Sequence, residues 1–152
     1  MDKPLIAVVN DDTTFLELMN DLLTDEGYRT ILIREGDKAY KKLREEKPDL
    51  VILDIRLEHP EMGWTILELI QLDPTTATVP VIVTSADSVA LKAKADLLAR
   101  QGIDSLDKPF RLNELISKID RRLTKDRDEL DADPLHGAFS ARNVVDVRGS
   151  NG

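Results

Sequence analysis

The chain has 152 residues, 41% of them hydrophobic and 33% charged, enough for one ordinary domain with a real core and a highly charged surface. A net charge of −8, with acidic and basic residues interspersed, argues against nonspecific nucleic-acid binding, which needs a basic stripe to displace counterions. With no cysteine and only His59 and His136, the chain offers no disulfide framework, no thiolate chemistry and no histidine-rich metal site. No apolar stretch approaches the roughly 20 residues of a membrane span, and the start Met-Asp-Lys-Pro lacks a signal-peptide core, so the expectation is a soluble, cytoplasmic protein with no membrane partner.

Short apolar runs alternate with longer stretches of helical period. Leu5–Val9 is the first run, and the acidic cluster Asn10-Asp11-Asp12 closes it. Phe15, Leu18, Met19, Leu22 and Leu23 then follow the i, i+3, i+4, i+7, i+8 rule, and Gly27 supplies a stop. Thr30–Ile33 is the second run; Ala39, Tyr40 and Leu43 mark a basic helix that ends before Pro48. The third run, Leu50–Leu53, ends on Asp54, and the helix after it, around Trp64, Leu67 and Ile70, stops at Asp73-Pro74. Val79–Val83 is the fourth run, and Ser88 is a candidate N-cap for a helix over Val89–Arg100, with Gly102 beyond its end. Ile103–Leu106, a weaker strand pattern, precedes a last helix striped by Leu112, Leu115, Ile116, Ile119 and Leu123. Runs that are aliphatic without polar alternation are strands buried on both faces, so five β–α units in strict alternation predict a doubly wound parallel α/β sheet.

The composition changes near Thr124. The rest is charged, carries Pro134 and Gly137 and ends Gly-Ser-Asn-Gly, which predicts a domain over residues 1–124 and a mobile C-terminal extension over 125–152. The helix is expected to reach about Leu130, and Asn143-Val-Val-Asp-Val147 is a minor candidate for an edge strand.

Ligands of open parallel α/β sheets gather outside the carboxyl ends of the strands. Asp11, Asp54, Ser85 and Lys108 all fall at such ends, on four different strands. Asp54 stands directly after four buried-type residues in Asp49-Leu-Val-Ile-Leu-Asp54, too near the core to be a casual surface charge. Asp11 and Asp54 together offer hard oxygens to Mg²⁺, which takes one or two carboxylates and keeps several waters. Two carboxylates that close repel unless a cation sits between them, and Lys108 with the metal would neutralise an arriving phosphoryl group.

Taken jointly, Val-Val-Asn10-Asp11-Asp12, Leu-Val-Ile-Leu-Asp54-Ile-Arg56, Pro80-Val-Ile-Val-Thr-Ser85-Ala86 and Asp107-Lys108-Pro109-Phe110 resemble the receiver domain of two-component response regulators, over about Lys3 to Leu123. The resemblance implies a flavodoxin-like sheet of order 2-1-3-4-5 with five helices. It implies that Asp54 is a phosphoacceptor supplied by a histidine kinase or phosphotransfer partner. It further implies that Asp11, Asp54 and the backbone carbonyl of Arg56 hold Mg²⁺, with Asn10 contributing through water. Ser85 and Lys108 would contact phosphoryl oxygens, small Ala86 leaving room, and the protein is then a signalling module rather than an enzyme in the ordinary sense. Its output would run through protein contacts or self-association on the face of the fourth helix, fifth strand and fifth helix, without nucleic acid.

This chain departs from the family pattern at three places. Asn10 removes one negative charge from the metal site, and Ser105 stands where many members carry a switching aromatic. The loop from Leu57 to Gly63 is one residue longer than common.

Several residues carry a plainer reading beside the functional one. Asp12 is either a helix cap or part of the metal surroundings. Thr84 competes with Ser85 for the hydroxyl role, although period two points it the other way. Arg56 and Asp87 are either tuners of phosphoryl lifetime or solvated charges. His59 reads as an exposed loop residue and Trp64 as packing for the third helix. Three other functions stand beside the signalling switch: a receiver-like docking module that no longer uses phosphorylation, an aspartyl-phosphate hydrolase, and a flavin carrier. A hydrolase would need a further acid or base and a cap over its substrate. A flavin carrier would want a Ser/Thr/Gly-rich loop after the first strand, where this chain has carboxylates.

Overall fold

A computed structural model describes residues 3–57 and 61–131. His59, His136, Asn143–Val147 and the extension past 131 therefore lie outside the described residues, as do positions 58–60 of the lengthened loop. The chain divides into two compact units, Met1–Lys108 and Pro109–Gly152.

The first unit holds β1 (Leu5–Val9), α1 (Thr13–Asp25), β2 (Arg29–Ile33), α2 (Gly36–Glu46), β3 (Leu50–Asp54), α3 (Met62–Leu72), β4 (Val81–Ser85), α4 (Ser88–Arg100) and β5 (Asp104–Asp107). All five strands are parallel, in the order β2-β1-β3-β4-β5. Every residue of β3 and β4 is buried, as expected for central strands covered on both faces. On one face Val9, Leu53 and Val83 join Leu43, Ile66 and Leu91 in a single apolar cluster. Asp49 ties the entrance of β3 to that of β1, its Oδ2 accepting the Leu5 N–H at 2.7 Å.

The termini of the elements follow local chemistry. Gly27, at φ 93°, takes the left-handed turn that ends α1, where Tyr28 N–H returns to the Leu23 carbonyl at 3.0 Å. Gly102, at φ 74°, does the same after α4, with Ile103 N–H on the Leu98 carbonyl at 2.9 Å. Gly63 meets a different need: a Cβ there would stand 2.2 Å from the Ile55 carbonyl oxygen, so α3 begins against the backbone just past Asp54.

Three sequence expectations are corrected. The buried stripe of α1 is Leu16, Met19 and Leu23, whereas Leu18 is exposed; the face is turned by two residues at one end of the stripe, which i, i+3, i+7 spacing permits equally well. Strand β4 runs from Val81 to Ser85 rather than from Val79, because Pro80 cannot donate to a ladder and Thr84 and Ser85 continue the pairing despite their hydroxyls. The cap of α4 is Asp87, not Ser88: the Asp87 carboxylate accepts the Ala90 N–H at 3.1 Å, and Ser88 is the first helical residue.

The second unit contributes α5 (Leu112–Asp131), which runs through the compositional boundary at Thr124. Leu115, Ile116 and Ile119 of its apolar stripe are buried. No helix among the described residues is long and apolar enough to cross a membrane.

Candidate functional site

Asp54 is the last residue of β3, with only 6% of its surface exposed. A buried carboxylate needs compensation, and three donors supply it. Lys108 Nζ reaches Oδ2 at 2.9 Å, Asn10 Nδ2 donates to the same oxygen at 3.0 Å, and the Arg56 N–H donates to Oδ1 at 3.1 Å. The donors come from three places in the sequence that parallel strand order brings to one end of the sheet.

The register explains each placement. Val9 pairs with Leu53, so Asn10 stands beside Asp54 at the next step along the two strands. Asn10 is 1% exposed, and its amide is held at both ends: Oδ1 accepts the Asp12 N–H at 2.8 Å, which turns Nδ2 toward Asp54. Lys108 follows β5 directly, and its N–H bonds the Ser85 carbonyl at 2.8 Å, anchoring the backbone from which the side chain reaches across. The Lys108 ammonium also lies 4.7 Å from the centre of the Phe15 ring, a cation–π contact that adds to its placement. Arg56 contributes through its backbone, because the chain turns at the end of β3 and brings its N–H back to the side chain two residues earlier.

The remaining predicted residues separate. Asp11 is exposed, one residue beyond Asn10. Asp12 caps α1, its Oδ1 accepting the N–H groups of Thr14 and Phe15 at 3.0 and 3.3 Å. Ser85 is buried at the end of β4, and its Oγ accepts the Asp87 N–H at 3.0 Å rather than contacting Asp54. Asp87 is engaged as the cap of α4, and Ser105 sits on β5 opposite Val83. Trp64, in α3, carries Lys94 5.0 Å from its ring centre.

Two features escaped sequence reasoning. Asn10 reads from sequence as a missing charge, whereas in the fold it is a donor to the buried carboxylate; an amide at the register position beside Asp54 was the available signal. Phe15 reads as one apolar residue of α1, whereas its ring contacts Lys108.

Among the described residues no three His, Cys, Asp or Glu side chains cluster as a ready-made metal cage. Carboxylates such as those of Asp11 and Asp54 are hard oxygen donors, of which Mg²⁺ takes one or two while keeping several waters.

Comparison with known proteins agrees with this geometry. The family model for the response regulator receiver domain matches residues 6–120. The DNA-binding response regulator MtrA of Mycolicibacterium smegmatis is 32% identical over 131 residues, covering 82% of this chain and 52% of that protein. The chain thus spans about half the length of the curated relatives it matches. Among solved structures, the receiver domain of the sensor histidine kinase PA1611 from Pseudomonas aeruginosa, with a magnesium ion coordinated in its active-site cleft, is similar at 25% identity and a TM-score of 0.69, covering 81% of this chain and 99% of that one. The N-terminal domain of a response regulator receiver protein from Methanoculleus marisnigri is 31% identical with a TM-score of 0.63, covering 79% of this chain and 96% of that one. With the five-stranded order β2-β1-β3-β4-β5, a buried strand-end carboxylate and its lysine already in place, these matches make the chain a member of the response regulator receiver domain family.

Proposed function

We propose that this receiver domain is a phosphorylation-switched signalling module in which Asp54 accepts a phosphoryl group from a histidine kinase or phosphotransfer protein. The observation that carries this reading is the Lys108–Asp54 pair at 2.9 Å, a cation held on a carboxylate at the end of the sheet. In the transfer, a carboxylate oxygen of Asp54 forms a bond to phosphorus as the donor's P–N bond breaks. The electron pair leaves on the imidazole nitrogen, which takes up a proton. Lys108 would follow the charge onto the phosphoryl oxygens, and Ser85, at the end of the neighbouring strand, would donate its own hydroxyl to one of them. The residues that would hold Mg²⁺ are Asp11, Asp54 and the Arg56 carbonyl, with Asn10 and Asp12 behind them. The cation would supply charge neutralisation between carboxylate and phosphoryl oxygens. The chain then acts as a phosphoacceptor that assists its own modification and its slow reversal, not as an enzyme turning over an external substrate.

Output would follow from the added charge, roughly −1.5 to −2 at neutral pH, biasing a two-state surface. Val89 and Leu97 leave α4 with exposed apolar side chains, 77% and 48% accessible, which supports α4 as part of a protein-binding face. The domain assignment that fits this reading is a receiver over residues 1–124 followed by an extension.

A second reading has one observation in its favour: Asp54 is satisfied by three protein donors, so the site is held together by the chain itself. A receiver-like docking module without a phosphoryl switch would look the same. Intact mass after incubation with acetyl phosphate, with and without Mg²⁺, separates the two. A Mg²⁺-dependent gain of one phosphoryl group supports the switch; no gain under either condition supports the docking module.

A further inference from the structure

Among the described residues, the Thr84 hydroxyl is the one buried side-chain polar atom without a hydrogen-bond partner. Thr84 is 1% exposed, so water does not reach it freely. Buried hydroxyls in folded proteins are nearly always satisfied, and one that is not calls for an explanation. Its position supplies one. Thr84 is the register partner of Asp54 across the β3–β4 ladder. Register partners on parallel strands stand about 4.8 Å apart and project to the same face of the sheet. Ser85, the next residue, already accepts the Asp87 N–H through its Oγ.

Three of the roughly four acceptor positions of the Asp54 carboxylate are taken in the resting molecule. Its Oδ2 takes both Asn10 Nδ2 and Lys108 Nζ, and its Oδ1 takes the Arg56 N–H. Modification changes that balance. Once one carboxylate oxygen is esterified to phosphorus, the ammonium of Lys108 is drawn toward the more strongly charged phosphoryl oxygens and leaves its place on the carboxyl group. A rotation about the Cα–Cβ bond of Thr84 would then turn its hydroxyl toward the vacated oxygen.

The geometry points to Thr84 as a positioning residue held in reserve: its hydroxyl goes unpartnered in the resting chain and donates to the acyl oxygen of phosphorylated Asp54. The inference rests on the proposed phosphorylation of Asp54 and adds a bias toward the modified state. An unsatisfied donor disfavours the resting form, and the same donor, once paired, favours the modified one.

The test is the ratio of phosphorylated to unphosphorylated protein at a fixed acetyl phosphate concentration with Mg²⁺, read by intact mass. Thr84→Val keeps the shape and removes the hydroxyl, Thr84→Ala removes it without demanding space for a branched chain, and Thr84→Ser retains it. The expected result is a fall of about tenfold in the ratio for both Val and Ala variants, with Ser within about twofold of the parent chain. Val or Ala variants that reach the parent ratio overturn the inference while leaving phosphorylation of Asp54 intact. A parent chain that gains no phosphoryl mass overturns both together.

Discussion

Asn10 Nδ2 donates to Asp54 Oδ2 at 3.0 Å, so a neutral amide fills the place where a second carboxylate would press against the buried acceptor. The same amide accepts the Asp12 N–H through Oδ1, and the two contacts together fix its orientation. Stability of the resting site and attraction for a cation are therefore opposed at this one position.

Asn10→Asp should separate them. The substitution removes a donor and brings two carboxylates into contact, destabilising the metal-free protein by about 1–3 kcal/mol. It also adds a hard oxygen ligand, so Mg²⁺ should bind more tightly. Thermal unfolding with EDTA and with saturating Mg²⁺, joined to a Mg²⁺ titration, checks both halves: a lower midpoint without metal, a larger rise with it.

Asp12 is engaged as the cap of α1, and its replacement should behave accordingly. Asp12→Ala is expected to lose about 1 kcal/mol of stability, while Asp12→Asn or Asp12→Ser, which retain a cap oxygen, should lose much less. Denaturant melts of the three variants test this. Mg²⁺ affinity that fell in parallel with loss of charge, Asn and Ser included, would instead make the Asp12 carboxylate part of the metal surroundings.

Gly63 is required by contact. A Cβ there would lie 2.2 Å from the Ile55 carbonyl oxygen and 2.4 Å from its Cα, both backbone atoms that cannot turn aside. Gly63→Ala should displace the segment just beyond Asp54. The expected outcome is loss of stability together with faster amide exchange at Arg56, whose N–H holds Oδ1.

Acid should reach the fold through Asp73. Its carboxylate accepts hydrogen bonds from the Tyr40 hydroxyl and from the Thr75 N–H and Oγ1, with Arg44 Nε at 3.5 Å, and its pKa is lowered from 3.8 to about 2, first by Tyr40. A depressed folded-state pKa means stability that is fully present above the unfolded value and is lost as pH falls through the folded one. The parent chain should therefore lose stability between about pH 4 and pH 2 at this residue, and Asp73→Asn should remove that part of the slope. Denaturant midpoints of both proteins across the interval give the comparison.

Much of the fold was legible because its central strands are buried on both faces and its helices end on identifiable signals. Leu50–Leu53 and Leu5–Val9 read as strands for that reason, and Gly27 and Gly102 marked helix ends. Asp54 and Lys108 were legible as polar residues at the ends of apolar runs, and they do meet. What failed depended on three-dimensional register or on a choice between neighbours. Leu16 replaces Leu18 in the core because two stripes fit the same spacing, and Asp87 displaces Ser88 as a cap because adjacent residues compete for one N–H. Asn10 as a donor needed the β1–β3 register, with Val9 opposite Leu53, in addition to the strand order. The face shared by Thr84 and Asp54 needed the β3–β4 register in the same way.

The central claim is that Asp54 itself takes the phosphoryl group. An acyl phosphate is reduced by borohydride to an alcohol, so treatment after acetyl phosphate and Mg²⁺ should leave homoserine at position 54, found by peptide mass mapping. Homoserine at 54 in the parent chain, and none in Asp54→Asn, is the predicted result. A phosphoryl group recovered instead on Ser85 or another hydroxyl, or no modification of the parent chain at all, would contradict the account.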